Sequence, residues 1–290
     1  MFEKSSWEHL RIPFSYYLMP VFLFALATVP EADTFRAIWV WIVLHLLLYP
    51  SSNGYNSYFD KDEKSIGGLK NPKKVTKSLY YLSQLFFFVA LVCSVFMGPV
   101  FFIMVLVYGL VSMAYSHPGI RLKKYPYVSW LTAGFFQGAF TFCMCYVGIA
   151  GTPGLVGLVQ TEVWIPALLS SILLLGSYPL TQIYQHDEDL KRGDNTLSIK
   201  LGITGTFGFS AIWFLLGGLA FIQYFLIIDF KTGIWAFLFA MLPVVSYFSL
   251  WFLMAQKNPE QYVSHQMAMW MNKVSATALN LFFIYLALHG

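Results

Sequence analysis

Charge is scarce in this sequence. Only 11% of its 290 residues are Asp, Glu, Lys or Arg, while 58% are hydrophobic and 19% aromatic. Soluble domains carry about 25% charged residues. A chain this apolar would expose large greasy patches to water and aggregate, a difficulty that a bilayer removes. The net charge of +4 is small. It makes nucleic acid an unnatural partner and leaves the basic residues to report topology. Cysteine is sparse too. Cys93, Cys143 and Cys145 sit in apolar runs without the paired spacing of a zinc site, so they read as small hydrophobic residues. No cleavable leader is expected, because residues 1–11 are polar and mixed in charge and the first apolar run is long enough to span. No low-complexity tract or soluble domain is evident, which predicts one membrane domain over 1–290.

What remains is long apolar runs. A spanning helix needs about 20 mostly apolar residues. Nine segments satisfy this: 12–30, 35–52, 79–97, 99–116, 127–150, 163–181, 206–228, 233–255 and 267–289. Pro30, Gly98 with Pro99, Pro118 and Pro153 punctuate their ends, and the short break at Gly98 predicts a tight hairpin. Charge tests the count. With the N-terminus inside, 16 of the 18 basic residues fall on the inner side, and only Arg36 and Lys231 lie outside. This asymmetry predicts a cytoplasmic N-terminus and an external C-terminus. The expected fold is an all-α, polytopic bundle of nine transmembrane helices.

Two polar stretches follow the second and sixth spans, Ser51–Lys64 and Gln182–Thr196. They hold seven of the 14 carboxylates: Asp60, Asp62, Glu63, Asp187, Glu188, Asp189 and Asp194. Asn53, Asn56, Asp60 and Lys64 would share one face if the second helix continued, and so would Gln182, Gln185 and Asp189. Asp with Asn and Gln forms a hard oxygen set suited to Mg²⁺, which bridges carboxylates to substrate phosphates. Lysine and arginine nearby would hold the remaining phosphate charge. Wet loops collect charge without function, but this does not explain Asn53 and Asn56 above an apolar run. Asp62 and Glu63 lie off the shared face. A third patch, Tyr115–Lys124, offers Arg121 and Lys123. His117 and His186 read as interfacial side chains, with a general base as the alternative, and His45 as a core residue.

These residues have a familiar order. Asn53-x-x-Asn56-x-x-x-Asp60 resembles the first motif of the UbiA superfamily, and its upstream asparagine resembles the menaquinone-type branch. Asp189-Leu190-Lys191-Arg192-Gly193-Asp194-Asn195-Thr196-Leu197, followed by Lys200-Leu201-Gly202, resembles the end of the second motif. Tyr115-Ser116-x-Pro118-x-x-Arg121-Leu122-Lys123 resembles a connecting loop of the same family. The resemblance implies an intramembrane prenyltransferase. It would move a polyprenyl group from its diphosphate to a hydrophobic acceptor, aromatic or a quinone precursor, with Mg²⁺ aiding departure of the diphosphate. It implies Asp60 and Asp189 as catalytic, with Asn56, Asp60, Gln185 and Asp189 on the metal. Asn53, Asn56, Lys64, Arg121, Lys123 and Lys191 would bind the diphosphate. The setting implied is a bacterial inner membrane, with the site on the cytoplasmic side.

Two positions depart from the family pattern. Lys64 and Gln185 stand where the motifs carry acids. Either Asp62, Glu63, Asp187 or Glu188 compensates, or Lys64 grips the diphosphate directly. A terpene cyclase on the same scaffold and a non-enzymatic lipid-binding protein are the rival readings. A transporter fits less well, because transporters place their sites near the midplane.

Overall fold

A computed structural model describes residues 2–151 and 160–290. Pro153, which the sequence marks as a span end, lies outside the described residues. Among these residues, nine helices are long and apolar enough to cross a membrane: α1 (Lys4–Thr28), α2 (Thr34–Asp60), α3 (Lys77–Val95), α4 (Pro99–Ser116), α5 (Pro126–Ala150), α6 (Thr161–Gln182), α7 (Leu197–Ile227), α8 (Lys231–Lys257) and α9 (His265–His289). Hydrocarbon offers no hydrogen-bond partners, so each spanning backbone must satisfy itself as helix. The α3–α4 hairpin is as tight as predicted. Gly98 takes φ 113°, and Pro99 opens the next helix, where its missing N–H is no loss.

Three helices depart from regular geometry for identifiable reasons. In α2 the backbone widens to a π-helix over Ile42–Leu48, just before Pro50. Proline cannot donate to the ladder and crowds the carbonyl one turn earlier, and the wider turn accommodates it. In α5 a second π stretch covers Phe136–Phe140. There Ser171 of α6 inserts its hydroxyl: Oγ accepts from the Ala139 N–H and donates to the Gly134 carbonyl, both at 2.9 Å. Gly138 permits this approach, since a Cβ on it would sit 2.5 Å from Ser171 Cα. In α7 the chain kinks at Gly202, φ 66°. That kink joins a polar first turn to the apolar run, so the helix starts at Leu197 rather than at 206.

The ends of α2 and α6 set the functional geometry. The polar stretch after the second apolar run is helical as far as Asp60, not a loop. Lys61 then adopts the left-handed conformation (φ 52°, ψ 41°) and stops the helix. Lys64 is therefore not on the face shared by Asn53, Asn56 and Asp60. α6 ends at Gln182, and after a turn a short helix, His186–Lys191, carries Asp189. The main core is aromatic. Phe24 of α1 stacks on Phe283 of α9 at 4.5 Å and lies 5.5 Å from Phe221 of α7. Each such pair adds about 0.5–1.5 kcal/mol beyond burial. These contacts tie the first and last spans together.

Candidate active site

One cavity of about 810 Å³ runs through the bundle. Asn53, Asn56, Asp60, Gln185 and Asp189 line its polar end, and Phe24, Phe221 and Phe283 line it elsewhere. By helical rise, Asp60 and Tyr49, both on the lining, are about 16 Å apart along α2. The cavity thus joins a charged mouth to an apolar interior.

Four aspartates meet at the mouth. The side chains of Asp60, Asp62, Asp189 and Asp194 are between 1% and 9% exposed. Carboxylates so buried need compensation. Lys123 binds Asp60, and its Nζ lies 3.7 Å from Asp194. Arg121 takes Asp194 with both arms of its fork, at 2.7 and 2.8 Å, and reaches Asp60 at 3.5 Å. Arg192 binds Asp62, and binds Asp189 at 2.6 Å. It therefore bridges the segment after α2 to the short helix after α6. Losing one partner from such a buried cluster costs about 3–5 kcal/mol. Burial pushes the Asp189 carboxyl up to about 6, against the opposing pull of Arg192. Burial also disfavours charge on Arg121, but Asp194 and then Asp60 outweigh it and hold the guanidinium above its ordinary range.

The residues singled out in the sequence separate into two groups. Asn53, Asn56, Asp60, Lys123, Gln185 and Asp189 line the cavity. Asn56 donates to Ser116 Oγ at 2.9 Å, which fixes its amide. Lys64 does not line it. Its Nζ pairs with Asp187 at 3.3 Å, with side chains 61% and 79% exposed, and its backbone N–H donates to Glu188 at 2.8 Å. Arg121 is spent on Asp194 and Asp60 behind the lining, so it positions aspartates. Lys191 is exposed and Glu63 is exposed. Of the four acids that could compensate for Lys64 and Gln185, only Asp62 reaches the cavity. His186 bonds Ser198 Oγ at 2.8 Å, and His117 Nδ1 accepts from the Gly119 N–H at 3.1 Å, so both are local braces. His45 is fully buried in α2, away from the cavity.

Sequence reasoning gave Arg192, Asp194 and Arg11 no site role and offered Asp62 only as one of four acids that could compensate. Arg192 sits three residues after Asp189, a helical pairing distance that was legible. Asp62 was not, because the left-handed Lys61 breaks the register that would place it. Tyr115 and Tyr178 also line the cavity with their hydroxyls in contact, and Gln182 Nε2 donates to Tyr178 at 3.1 Å.

A helix bundle whose cavity is ionic at one end and apolar along its length defines a membrane enzyme for amphipathic, anionic substrates. The comparisons narrow this class. The sequence profile of the UbiA prenyltransferase family matches residues 17–274. The fold is that of a UbiA homologue from Aeropyrum pernix K1 (TM-score 0.72, 16% identity, 94% of this chain and 97% of the other). It is equally close to a UbiA homologue from Archaeoglobus fulgidus bound to DMAPP and Mg²⁺ (TM-score 0.71, 13% identity, 99% and 100%). A digeranylgeranylglyceryl phosphate synthase also matches (TM-score 0.62, 19% identity, 98% of each chain). No curated protein sequence matches at a significant level. The chain belongs to the UbiA prenyltransferase family, whose members are Mg²⁺-dependent membrane prenyltransferases.

The residues present fit that ion. Asp60, Asp62 and Asp189 each commit Oδ1 to a cation and leave Oδ2 without a hydrogen-bond partner among the described residues. Asn56 and Gln185, which carry neutral amide oxygens, stand on the same lining. Among the described residues no three acidic, histidine or cysteine side chains converge into a closed chelate. An open set that offers one or two carboxylates is what Mg²⁺ uses when substrate phosphates and water complete its shell.

Proposed function

We propose that this protein transfers a polyprenyl group from its diphosphate to an aromatic or quinone-precursor acceptor, at a site facing the cytoplasm. The observation that carries this reading is a cavity continuous from the Asp60–Asp189 mouth to the Phe24–Phe283 interior. A diphosphate with a long apolar tail needs both ends. Asp60 and Asp189 would hold Mg²⁺, with Asn56 and Gln185 as neutral partners. When bound, the ion would neutralise charge growing on the departing diphosphate. Lys123 and Arg192 line the same mouth and would stabilise that charge from fixed positions. Tyr115 and Tyr178 stand on the lining beside the acid cluster, where their ring faces can shield a developing allylic cation. The apolar lining keeps water from intercepting it.

The acceptor reading rests on the Asn53–Asn56 pair and is tested directly. Purified protein receives geranylgeranyl diphosphate, Mg²⁺ and a panel of aromatic acceptors, and products are identified by mass spectrometry. A prenylated aromatic product is expected. A cyclic hydrocarbon formed without any acceptor would overturn transfer in favour of cyclisation.

A further inference from the structure

Lys123 and Arg192 already have carboxylate partners at the cavity mouth. A third cation lines the same cavity and has none. Arg11 sits in α1 at a left-handed break, φ 47°. Its Nη1 donates to the Gly67 carbonyl at 2.9 Å and its Nη2 to the Asn53 carbonyl at 3.2 Å. The guanidinium lies 5.4 Å from the Phe14 ring centroid, and Phe14 in turn packs beneath Gly67 and Gly68. Its Nε–H is buried with no partner, and among the described residues no ion pair joins Arg11 to a carboxylate. Asp62 and Asp60 act on it only from beyond ion-pair distance, its two direct partners are neutral carbonyls, and a buried charge so held is costly. The fork has donors left over, and its geometry matches the oxygens of a phosphate or carboxylate.

We infer that Arg11 is an anion-binding residue of the cavity, holding a phosphate or carboxylate oxygen of a substrate. The inference rests on the prenyl-diphosphate reading above. Two sources supply that chemistry: the terminal phosphate of the prenyl diphosphate, or an acidic group on the acceptor. The break at Arg11 turns the side chain from the helix entry toward Asn53 and the mouth, where an incoming anion completes its coordination.

The test compares the wild type with Arg11→Gln. Calorimetry measures affinity for unreactive geranylgeranyl thiolodiphosphate in Mg²⁺, and kinetics measure KM for a carboxylate-bearing aromatic acceptor. Thiolodiphosphate affinity about tenfold weaker or more, with acceptor KM unchanged, assigns Arg11 to the diphosphate. The reverse pattern assigns it to the acceptor. Both constants unchanged in a folded variant overturn the inference and leave Arg11 as a brace for Gly67 and Asn53. Should Arg11→Gln fail to fold, phenylglyoxal labelling of the wild type, read at Arg11 by peptide mass spectrometry, decides. Protection by thiolodiphosphate or acceptor supports anion binding, and equal labelling with and without them overturns it. A wild type that binds no thiolodiphosphate would sink the functional reading and this inference together, a result distinct from any effect confined to Arg11.

Discussion

At the scale of single residues, the acid cluster makes opposed demands on its members. Asp60 and Asp189 each have one oxygen tied to a cation and one left over. Asp60→Asn or Asp189→Asn keeps shape but removes charge where the leaving group's counter-ion must sit. Turnover is expected to fall at least about a hundredfold, with unchanged elution and helical circular dichroism. Normal turnover in either variant would remove it from the site. Lys64 should behave differently. An exposed pair such as Lys64–Asp187 contributes about 0–1 kcal/mol. Lys64→Ala is expected to leave KM for prenyl diphosphate within about twofold, and a large rise would place Lys64 at the phosphate after all. Chemical identity was readable at this scale wherever helical register held: Asn53, Asn56 and Asp60 occupy the face that their spacing foretold. Lys64 was misplaced because spacing says nothing past a left-handed residue. Arg121 had the right neighbourhood and the wrong role, because its partner Asp194 lies 73 positions away.

At the scale of elements, apolar run length gave the helices, while their ends and irregularities came from contacts between helices. No apolar periodicity carries α2 on to Asp60, and only the polar spacing of Asn53, Asn56 and Asp60 hints at it. Nor does any show that α7 begins at Leu197, before the Gly202 kink. The π stretch in α5 depends on Ser171 of another helix. This close approach yields a direct prediction. Gly138→Ala places a Cβ 2.5 Å from Ser171 Cα, where neither backbone can easily give. The variant should lose about 1–3 kcal/mol and show a lower Tm in detergent. An unchanged Tm would mean that α5 and α6 are less closely packed than described.

At the scale of the whole molecule, function depends on the ends of α2 and α6 opening on the same side of the membrane. The skew of 16 basic residues to 2 supports the cytoplasm as that side. Alkaline phosphatase fused after the C-terminus should be active in bacterial cells, and fused after Lys70 it should be silent. The opposite pattern would invert the molecule. Family, fold and the polar mouth were legible from three ordered motifs. The cavity itself was not, because it is lined from eight of the nine spanning helices, which no local pattern brings together.

The central claim is that this cavity ionises a prenyl diphosphate with the help of an ion held between Asp60 and Asp189. The most direct measurement is diphosphate release from geranylgeranyl diphosphate by purified protein, with acceptor present, before and after EDTA and after Mg²⁺ is restored. The account predicts release that EDTA abolishes and Mg²⁺ restores in the wild type, with neither seen in Asp189→Asn. Release that persists in EDTA, or that Asp189→Asn sustains, would contradict it.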